Sequence, residues 1–249
     1  MALIETNVTE KIGYITFNRP DKLNALNLEM RDGFVSALSE FRANPDVRVI
    51  IISGKGRAFC TGFDLSGMDP EEPTKADAFY LEIFAMPQPV IAAIHGHCLA
   101  QGAGIALCSD IRVASEDVRF GWPQVLRGLS SVSGPSLGTH YLPLGISLEH
   151  LFTGEFLNAE ELFRCFVVNR VVPLEKLMPT AEELARKILA GAPLAVRVMK
   201  EAALQGLKMP LESRMRFSGT LMSGIIRTED AQEGLRAFAE KRQPIWKGK

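Results

Sequence analysis

The amino-acid sequence predicts an α/β fold, because strand-like and helix-like segments alternate repeatedly along its N-terminal part. Apolar runs typical of buried strands occur at 47–53 and 89–95. Each run leads into a segment rich in glycine and small residues, at 54–64 and at 96–104. From about residue 147 the pattern becomes mainly helical. A length of 249 residues is compatible with one large domain or with a core and an appendage.

The first elements follow from the spacing of apolar side chains. Alternation at 2–8 and 12–17 predicts a β-hairpin. A helix should follow, because large apolar side chains recur at helical spacing at Met30, Phe34, Leu38 and Phe41. The pair Asn44-Pro45 ends this pattern. After the strand at 47–53, the order helix, strand, helix and strand continues at 75–85, 89–95, 103–108 and 111–114.

The C-terminal part carries amphipathic patterns that predict helices at 181–189, 193–207 and 211–222. Thr228 is a candidate N-cap of a last helix, with Glu229 and Asp230 in its first turn. Lys241 and Arg242 are expected in its last turn, where they would complement the helix dipole. These helices have enough apolar surface to need a partner, which is either the chain's own core or another subunit.

The composition is that of an ordinary globular protein, with 47% hydrophobic and 23% charged residues. Because 28 basic residues nearly balance 29 acidic ones, no broad basic field favours nucleic acid. The cysteines are scattered and form no C-x-x-C pair: Cys60, Cys98, Cys108 and Cys165. This spacing argues against a zinc site or a disulfide framework. No signal peptide or membrane-spanning run is evident, so we expect a cytoplasmic protein without a membrane partner.

The two glycine-rich segments are the main chemical signal. Each follows a strand and can present bare backbone N–H groups to a ligand, as needed to hold a carbonyl oxygen that gains negative charge. Two such donors could meet at one oxygen. A simpler interpretation is that both segments are only tight connections. A nucleotide-binding loop at Gly54-Lys-Gly56 ranks far lower, because the third glycine and the Gly-Lys-Ser/Thr sequence of phosphate-binding motifs are missing.

Several motifs, in order, resemble the crotonase (enoyl-CoA hydratase/isomerase) superfamily. They are Asn18-Arg-Pro-Asp-Lys-Leu-Asn-Ala-Leu26, Ala58-Phe-Cys-Thr-Gly-Phe-Asp-Leu65, Ala106-Leu-Cys-Ser-Asp-Ile-Arg-Val-Ala114, Leu151-Phe-Thr-Gly154, Val168-Asn-Arg-Val-Val-Pro173 and the run at 229–242. The resemblance implies a crotonase (ClpP-like) spiral of repeated ββα units over 1–190 and a helical oligomerisation region over 191–249. It also implies acyl-CoA substrates, coenzyme A as part of the substrate rather than a tightly bound cofactor, no metal, and a homotrimer or dimer of trimers.

The resemblance assigns roles to individual residues. The two oxyanion donors fall on the backbone N–H groups of Thr61 and Gln101, with Gly102 as the fallback for the second. Residues matching the substrate-contacting positions are Asp21, Lys22, Leu23, Ala58, Phe63, Asp64, Leu65, Phe238 and Lys241, the last two often contributed by a neighbouring subunit. Asp64 is expected to anchor its loop rather than to catalyse. Lys22 and Lys241 would otherwise read as solvated surface charges.

The sequence departs from the family where hydratases carry two glutamates, because these positions hold Gly104 and Gln124. A third acid position of some isomerases falls near Val132, and 122–141 contains no Asp or Glu. Hydration needs a base for water and an acid for the α-carbon. Simple hydration is therefore not expected, whereas isomerisation, decarboxylation or another enolate reaction is open. The alternative is a catalytically silent protein of this fold that binds acyl-CoA or assembles with enzymes.

Two histidines are candidate replacement proton carriers, His97 beside the second donor segment and His140 beside Tyr141, whereas His95 and His150 rank lower. Apolar residues that either line an acyl pocket or belong to the core are Phe63, Met68, Phe84, Trp122 and Leu126. Among these, Trp122 is the hypothesis of most interest, because it could offer a flat face to a planar acyl group.

Overall fold

The computed structural model describes residues 2–66 and 76–249, without the side chains of 76–78. The strands are Ile4–Thr9 (β1), Ile12–Phe17 (β2), Val49–Gly54 (β3), Ala58–Cys60 (β4), Val90–Ile94 (β5), His97–Leu99 (β6), Ile111–Ser115 (β7), Arg119–Gly121 (β8) and Arg170–Val172 (β9). The helices are Leu28–Ala43 (α1), Ala76–Phe84 (α2), Gln101–Cys108 (α3), Thr139–Tyr141 (α4), Leu144–Thr153 (α5), Ala159–Arg164 (α6), Leu177–Leu189 (α7), Pro193–Gly206 (α8), Leu211–Ile225 (α9) and Glu229–Ala239 (α10).

The strands form two sheets. The larger has six strands in the order β1-β2-β3-β5-β7-β9, and the smaller has three in the order β4-β6-β8. Apart from the antiparallel hairpin of β1 and β2, all pairings in both sheets are parallel. In each of the pairs β3–β4, β5–β6 and β7–β8, the first strand belongs to the large sheet and the second to the small one. A helix follows each of the first two pairs. This is the repeated ββα arrangement that the sequence predicts.

The core lies between the two sheets and extends to α1. Met30, Phe34, Leu38 and Phe41 are all buried on one face of α1, as their spacing predicts. The Asn27 side chain caps the helix by accepting from the Met30 amide at 2.9 Å. Helix α7 covers the other face of the large sheet, where Ala181 and Ala185 pack with its strands. Burial of apolar surface on both faces of the large sheet holds this arrangement together.

The C-terminal helices agree with the prediction except at their last residues. The Thr228 side chain caps α10 by accepting from the Ala231 amide at 3.1 Å. Lys241 and Arg242 are not in the last turn, however, because α10 ends at Ala239 and Lys241 has a left-handed φ of 54°. Arg242 instead pairs with Glu233 at 2.6 Å. The prediction that both basic residues complement the helix dipole is therefore wrong.

Large apolar side chains remain exposed along α8, α9 and α10 of this single chain, notably Met199, Leu211, Met215, Met222, Leu235 and Phe238. No helix within the described ranges is both long and apolar enough to cross a membrane.

Candidate functional site

The predicted donor segments meet at one edge of the small sheet. Strands β4 and β6 are parallel neighbours with Cys60 opposite Cys98, so the segments that follow the two strands leave the sheet at the same edge. Thr61 directly follows β4, and Gln101 begins α3 after a single connecting residue. Both residues line one cavity of about 710 Å³. The topology thus brings together two segments that are about forty residues apart in the sequence.

Glycines let the two segments approach each other closely. A Cβ at Gly62 would lie 2.6 Å from the Ala100 Cβ and 3.4 Å from the Gln101 amide nitrogen. A Cβ at Gly102 would lie 2.1 Å from the Cys60 carbonyl oxygen, so only glycine fits there. Glycines in these segments are therefore a packing requirement as well as a source of conformational freedom.

The backbone amides of Thr61 and Gln101 are both available to a ligand. Neither donates to another group anywhere in the ranges 2–66 and 76–249. Gln101 is the first residue of α3, where an N–H has no partner within the helix. Since both residues line the same cavity, two uncommitted donors are accessible from one space.

Side chains fix the two donor segments to each other and to their surroundings. The Gln101 side chain accepts from the Phe63 amide at 2.9 Å, which ties the second segment to the first. The Thr61 hydroxyl donates to the Leu23 carbonyl at 3.1 Å. The identity of the Gln101 side chain therefore matters as well as its backbone amide. The motif alone carries no signal for this bond.

Asp64 has the anchoring position that the sequence predicts. Its carboxylate accepts from the Arg19 guanidinium at 2.7 Å and from the Ser66 backbone amide at 3.0 Å. Hydrogen bonds from Ser66 and Arg19 lower the pKa of Asp64 to about 2. Asp64 does not line the cavity, and its bonds to Arg19 and Ser66 hold the loop that follows Thr61.

The remaining substrate-binding candidates are spread more widely. Leu23, Phe63 and Leu65 line the cavity, whereas Asp21 and Lys22 lie on an exposed turn beside it. Phe238 and Lys241 are exposed at the end of α10 and do not line the cavity of this chain.

Ala58 does not line the cavity of this chain. It is fully buried in β4, and its carbonyl accepts from the Asn24 side chain at 2.7 Å. The same Asn24 amide also donates to the carbonyls of Lys55 and Phe59. Asn24 therefore uses acceptors of this segment for internal structure, and the substrate contact of Ala58 stays a prediction.

Gly104 and Gln124, which the resemblance aligns with the two glutamates of hydratases, lie in different surroundings. At Gly104, an added Cβ would lie 2.4 Å from a Tyr80 ring carbon and 2.8 Å from the Ser133 Cβ, so other side chains fill this space. Gln124 lines the cavity, and its buried Oε1 has no hydrogen-bond partner within the described residues. Val132 also lines the cavity. Burial raises the pKa of Tyr80 far above its usual value, so its hydroxyl stays protonated.

The cavity wall carries no carboxylate in the described part of the chain, and Arg127 is its one permanently charged residue there. The groups of at least three Asp, Glu, His or Cys side chains that a metal ion needs are also absent from those residues. The described cavity wall therefore offers neutral donors and a guanidinium but no carboxylate that could act as a base.

His97 is the one predicted histidine candidate that lines the cavity among the described residues. Its buried Nδ1 has no partner there, and burial, followed by the charges of Arg119 and Arg57, lowers its pKa. It lies two residues before Leu99 on the same face of β6, and both residues line the cavity.

The other three histidines lie away from this cavity. His140 packs edge-on against Tyr141 beside a different cavity. His95 contacts the Gly56 carbonyl at 3.0 Å, and His150 contacts the Glu155 carbonyl at 3.1 Å.

Trp122 is a core residue rather than a wall of the cavity with Thr61 and Gln101. It is 2% exposed, packs edge-on against Phe120, and donates through Nε1 to the Ser133 hydroxyl at 3.0 Å. The ring therefore has no exposed face in this cavity, and its contact with an acyl group stays a prediction. Phe84 and Leu126 also do not line this cavity, and Met68 lies outside the described residues.

Sequence reasoning missed several residues of the wall, among them Leu99, Pro123, Arg127, Ser131 and Phe156. Phe156 reaches the site through the bridge between Phe120 and Leu157, a contact that no local pattern indicates. It also missed Tyr80 and Ser133, which the fold brings to Gly104 from distant segments.

Comparisons with known proteins agree on one family. A model of the enoyl-CoA hydratase/isomerase family matches residues 7–249. The chain is 34% identical to (E)-benzylidenesuccinyl-CoA hydratase of Thauera aromatica, covering 98% of this chain and 99% of that protein. It is 39% identical to carnitinyl-CoA dehydratase of Salmonella typhimurium strain LT2, covering 94% of both. A crystal structure of enoyl-CoA hydratase from Bacillus anthracis matches with a TM-score of 0.94 and 31% identity, over 99% of this chain and 100% of that one.

Proposed function

Because the chain belongs to the enoyl-CoA hydratase/isomerase family, we propose that it is an enzyme that stabilises the enolate of an acyl-CoA thioester with the amides of Thr61 and Gln101. The observation that carries this proposal is the presence of two uncommitted backbone N–H groups at one cavity. A thioester carbonyl between them would receive two hydrogen bonds that strengthen as charge moves onto its oxygen. One such donor typically contributes about 10² to 10³ in rate.

The reaction we propose does not depend on a pair of carboxylates. The hydratase and dehydratase names of the relatives refer to chemistry that moves water and a proton. By the resemblance in the sequence, Gly104 and Gln124 take the positions where hydratases carry glutamates. Loss of an α-carboxylate makes the smallest demand on this cavity. The electrons of the breaking carbon–carbon bond enter the thioester as carbon dioxide leaves, so no base is required. Double-bond isomerisation is the second enolate reaction, and it needs a proton carrier.

The binding site for coenzyme A is also a proposal. The exposed turn of Asp21 and Lys22, together with Leu23 in the cavity wall, is suited to the nucleotide and pantetheine parts of the substrate. Phe238 and Lys241 would reach the nucleotide from a neighbouring subunit of a homotrimer or a dimer of trimers. Their exposure on a single chain supports this arrangement. We further propose a cytoplasmic location and no tightly bound cofactor, because coenzyme A arrives as part of the substrate.

A panel of substrates in deuterated water tests the proposed reaction. The purified protein is incubated separately with crotonyl-CoA, a 3-enoyl-CoA and malonyl-CoA, and the products are followed by NMR and by release of carbon dioxide. We expect decarboxylation, double-bond migration or α-carbon deuteration, with little net hydration of crotonyl-CoA. Rapid hydration of crotonyl-CoA would contradict the proposal that this cavity, without a pair of carboxylates, does not support hydration.

The second candidate is a catalytically silent protein that binds acyl-CoA or assembles with enzymes. The observation in its favour is a described cavity wall without a carboxylate. Binding of the CoA esters without turnover of any of them would favour this candidate. Failure to bind any of them would contradict the proposed enzyme and the acyl-CoA-binding form of this candidate.

A further inference from the structure

The peptide group between Ala100 and Gln101 has an unusual conformation. Ala100 has φ 53° and ψ −113°, a combination that a residue with a Cβ rarely adopts. Such strain persists only where the surrounding structure holds it. The N–H of this peptide group is the Gln101 donor proposed above, so whatever holds the peptide also sets the direction of that donor.

Three hydrogen bonds hold the Ala100 backbone. Its amide donates to the Gly121 carbonyl at 2.8 Å. Its carbonyl accepts from the Gly104 amide at 3.0 Å and from the Ser133 hydroxyl at 3.2 Å. Ser133 is itself fixed, because it is 1% exposed and its oxygen accepts from the Trp122 indole at 3.0 Å. The hydroxyl hydrogen of Ser133 is thereby directed at the Ala100 carbonyl.

The geometry of a peptide group links this carbonyl to the donor. A peptide group is planar and trans, so the Ala100 C=O and the Gln101 N–H point in opposite directions. A half-turn of the peptide would bring ψ of Ala100 from −113° to about +67°, close to the relaxed left-handed region. That rotation would also turn the Gln101 N–H away from the cavity. The same half-turn would move φ of Gln101 out of the helical region and break the bond from the Gly104 amide, so the strained orientation is the one that presents the donor and begins α3.

We propose that Ser133 is a positioning residue that holds the Ala100–Gln101 peptide in the strained orientation and so aims the Gln101 amide at the substrate oxygen. This inference rests on the proposed function. The Ser133 hydrogen bond also withdraws electron density from the carbonyl, which strengthens the N–H of the same peptide as a donor. Because the Gly104 amide still holds the carbonyl when Ser133 is changed, removal of the hydroxyl should weaken the site without abolishing it.

The test uses acetoacetyl-CoA, whose enolate absorbs in the near ultraviolet, so that the apparent pKa of the bound probe reports on the donors directly. The wild-type protein should lower this pKa below its value in free solution. Ser133→Ala should raise the pKa of the bound probe by about one unit, a tenfold loss of enolate at a given pH, while the affinity for butyryl-CoA changes less than about threefold. Trp122→Phe, which removes the donor to Ser133 together with part of the buried indole, should give a smaller rise.

A second-site change separates orientation from packing. Glycine adopts φ 53° and ψ −113° without strain, since this is the mirror image of an extended conformation. Ala100→Gly in the Ser133→Ala background should therefore recover part of the lost enolate. Ser136→Ala is the matched control, because this exposed hydroxyl on the same segment donates to the Val132 carbonyl instead, and it should leave the probe unchanged.

The outcomes distinguish failure of this inference from failure of the proposed function. An unchanged probe pKa in Ser133→Ala, with a lowered pKa in the wild-type protein, would overturn the positioning role and leave the function intact. No rescue by Ala100→Gly would also overturn it, because packing rather than orientation would then explain the loss. Absence of probe binding, or a wild-type pKa equal to that of the free probe, would contradict the proposed function itself.

Discussion

Gly104 shows at the scale of single residues how a missing side chain changes the site. The space beside it is filled by the Tyr80 ring and by Ser133, so the glycine is required by its neighbours. A carboxylate at this position would need a different local packing. Introducing an acid here would therefore require more than one substitution.

Gly104→Glu should destabilise the protein and should not produce an active hydratase. The new Cβ would lie 2.4 Å from the Tyr80 ring, which is nearly fully buried and cannot move without displacing its neighbours. Overpacking of this kind typically costs about 1 to 3 kcal/mol of the free energy of unfolding. Urea unfolding and hydration of crotonyl-CoA are the measurements.

The double variant Tyr80→Ala/Gly104→Glu is the matched comparison, because it removes the obstructing ring. It should recover stability relative to Gly104→Glu alone. If the single variant were as stable as the wild type, the described packing at Gly104 would be incorrect.

Asp64 gives a prediction about pH. Its pKa in the folded state is lowered to about 2 by bonds from Ser66 and Arg19, whereas an unfolded Asp has a pKa of about 3.9. The stabilisation is therefore fully present above about pH 4 and is lost as pH falls toward 2. The Tm difference between wild type and Asp64→Asn should be largest near pH 6 and should shrink between pH 4 and 2. A difference that does not change with pH would argue against the Arg19 contact.

The residues differ in how much of their role the sequence could predict. Thr61 and Gln101 could be placed together, because each follows a strand within a recognisable motif. Trp122 could not be placed, since adjacency to Gln124 does not say which side of the chain faces the core, and the structure buries it against Phe120. The contact of Tyr80 with Gly104 depends on how α2 packs on α3, and no local pattern encodes that.

At the scale of elements, the site depends on the link between the loop after β4 and the start of α3. This link is the bond from the Phe63 amide to the Gln101 side chain. Gln101→Met keeps the length of the side chain but leaves the Phe63 amide unpaired. We expect a loss of about 1 to 3 kcal/mol in the free energy of unfolding and weaker stabilisation of a bound enolate.

Gln124→Met is the control for stability, because it removes an amide from the same cavity whose Oε1 has no described partner. Its free energy of unfolding should equal or exceed that of the wild type. Equal losses in the two variants would mean that the Gln101 bond contributes nothing specific. Both are measured by urea unfolding.

The long elements were predictable and the short ones were not. Helix α1 and strands β3 and β5 have apolar patterns that extend over a full element, and the structure confirms them. Strands β4, β6 and β8 have three residues each, so alternation has no length over which to become visible. The small sheet that carries the site was consequently missed, although the glycine-rich segments that border it were recognised.

At the scale of the whole molecule, the exposed apolar side chains of α9 suggest a subunit contact. Leu211, Met215 and Met222 lie within a narrow sector of one helix face at helical spacing, and all three are exposed on the single chain. Exposed apolar surface of this kind is typical of protein interfaces. The division into a core at 1–190 and a helical region at 191–249 stays a prediction.

Met215→Glu/Met222→Glu should shift the protein from a trimer or hexamer to smaller species, because two charges would be buried at the contact. Ser213→Glu, on the opposite side of α9, should leave the assembly unchanged. Light scattering after size exclusion measures both. A wild-type monomer, or an unchanged assembly in the double variant, would contradict a subunit contact through α9.

The proposed function requires the amides of Thr61 and Gln101 to polarise a thioester carbonyl. The most direct measurement is the infrared difference spectrum of butyryl-CoA labelled with carbon-13 at its carbonyl, free and bound to the wild-type protein. Two hydrogen bonds to the oxygen weaken the C=O bond, so we expect a lower stretching frequency in the bound state. A bound ester whose carbonyl frequency equals or exceeds that of the free ester would contradict it.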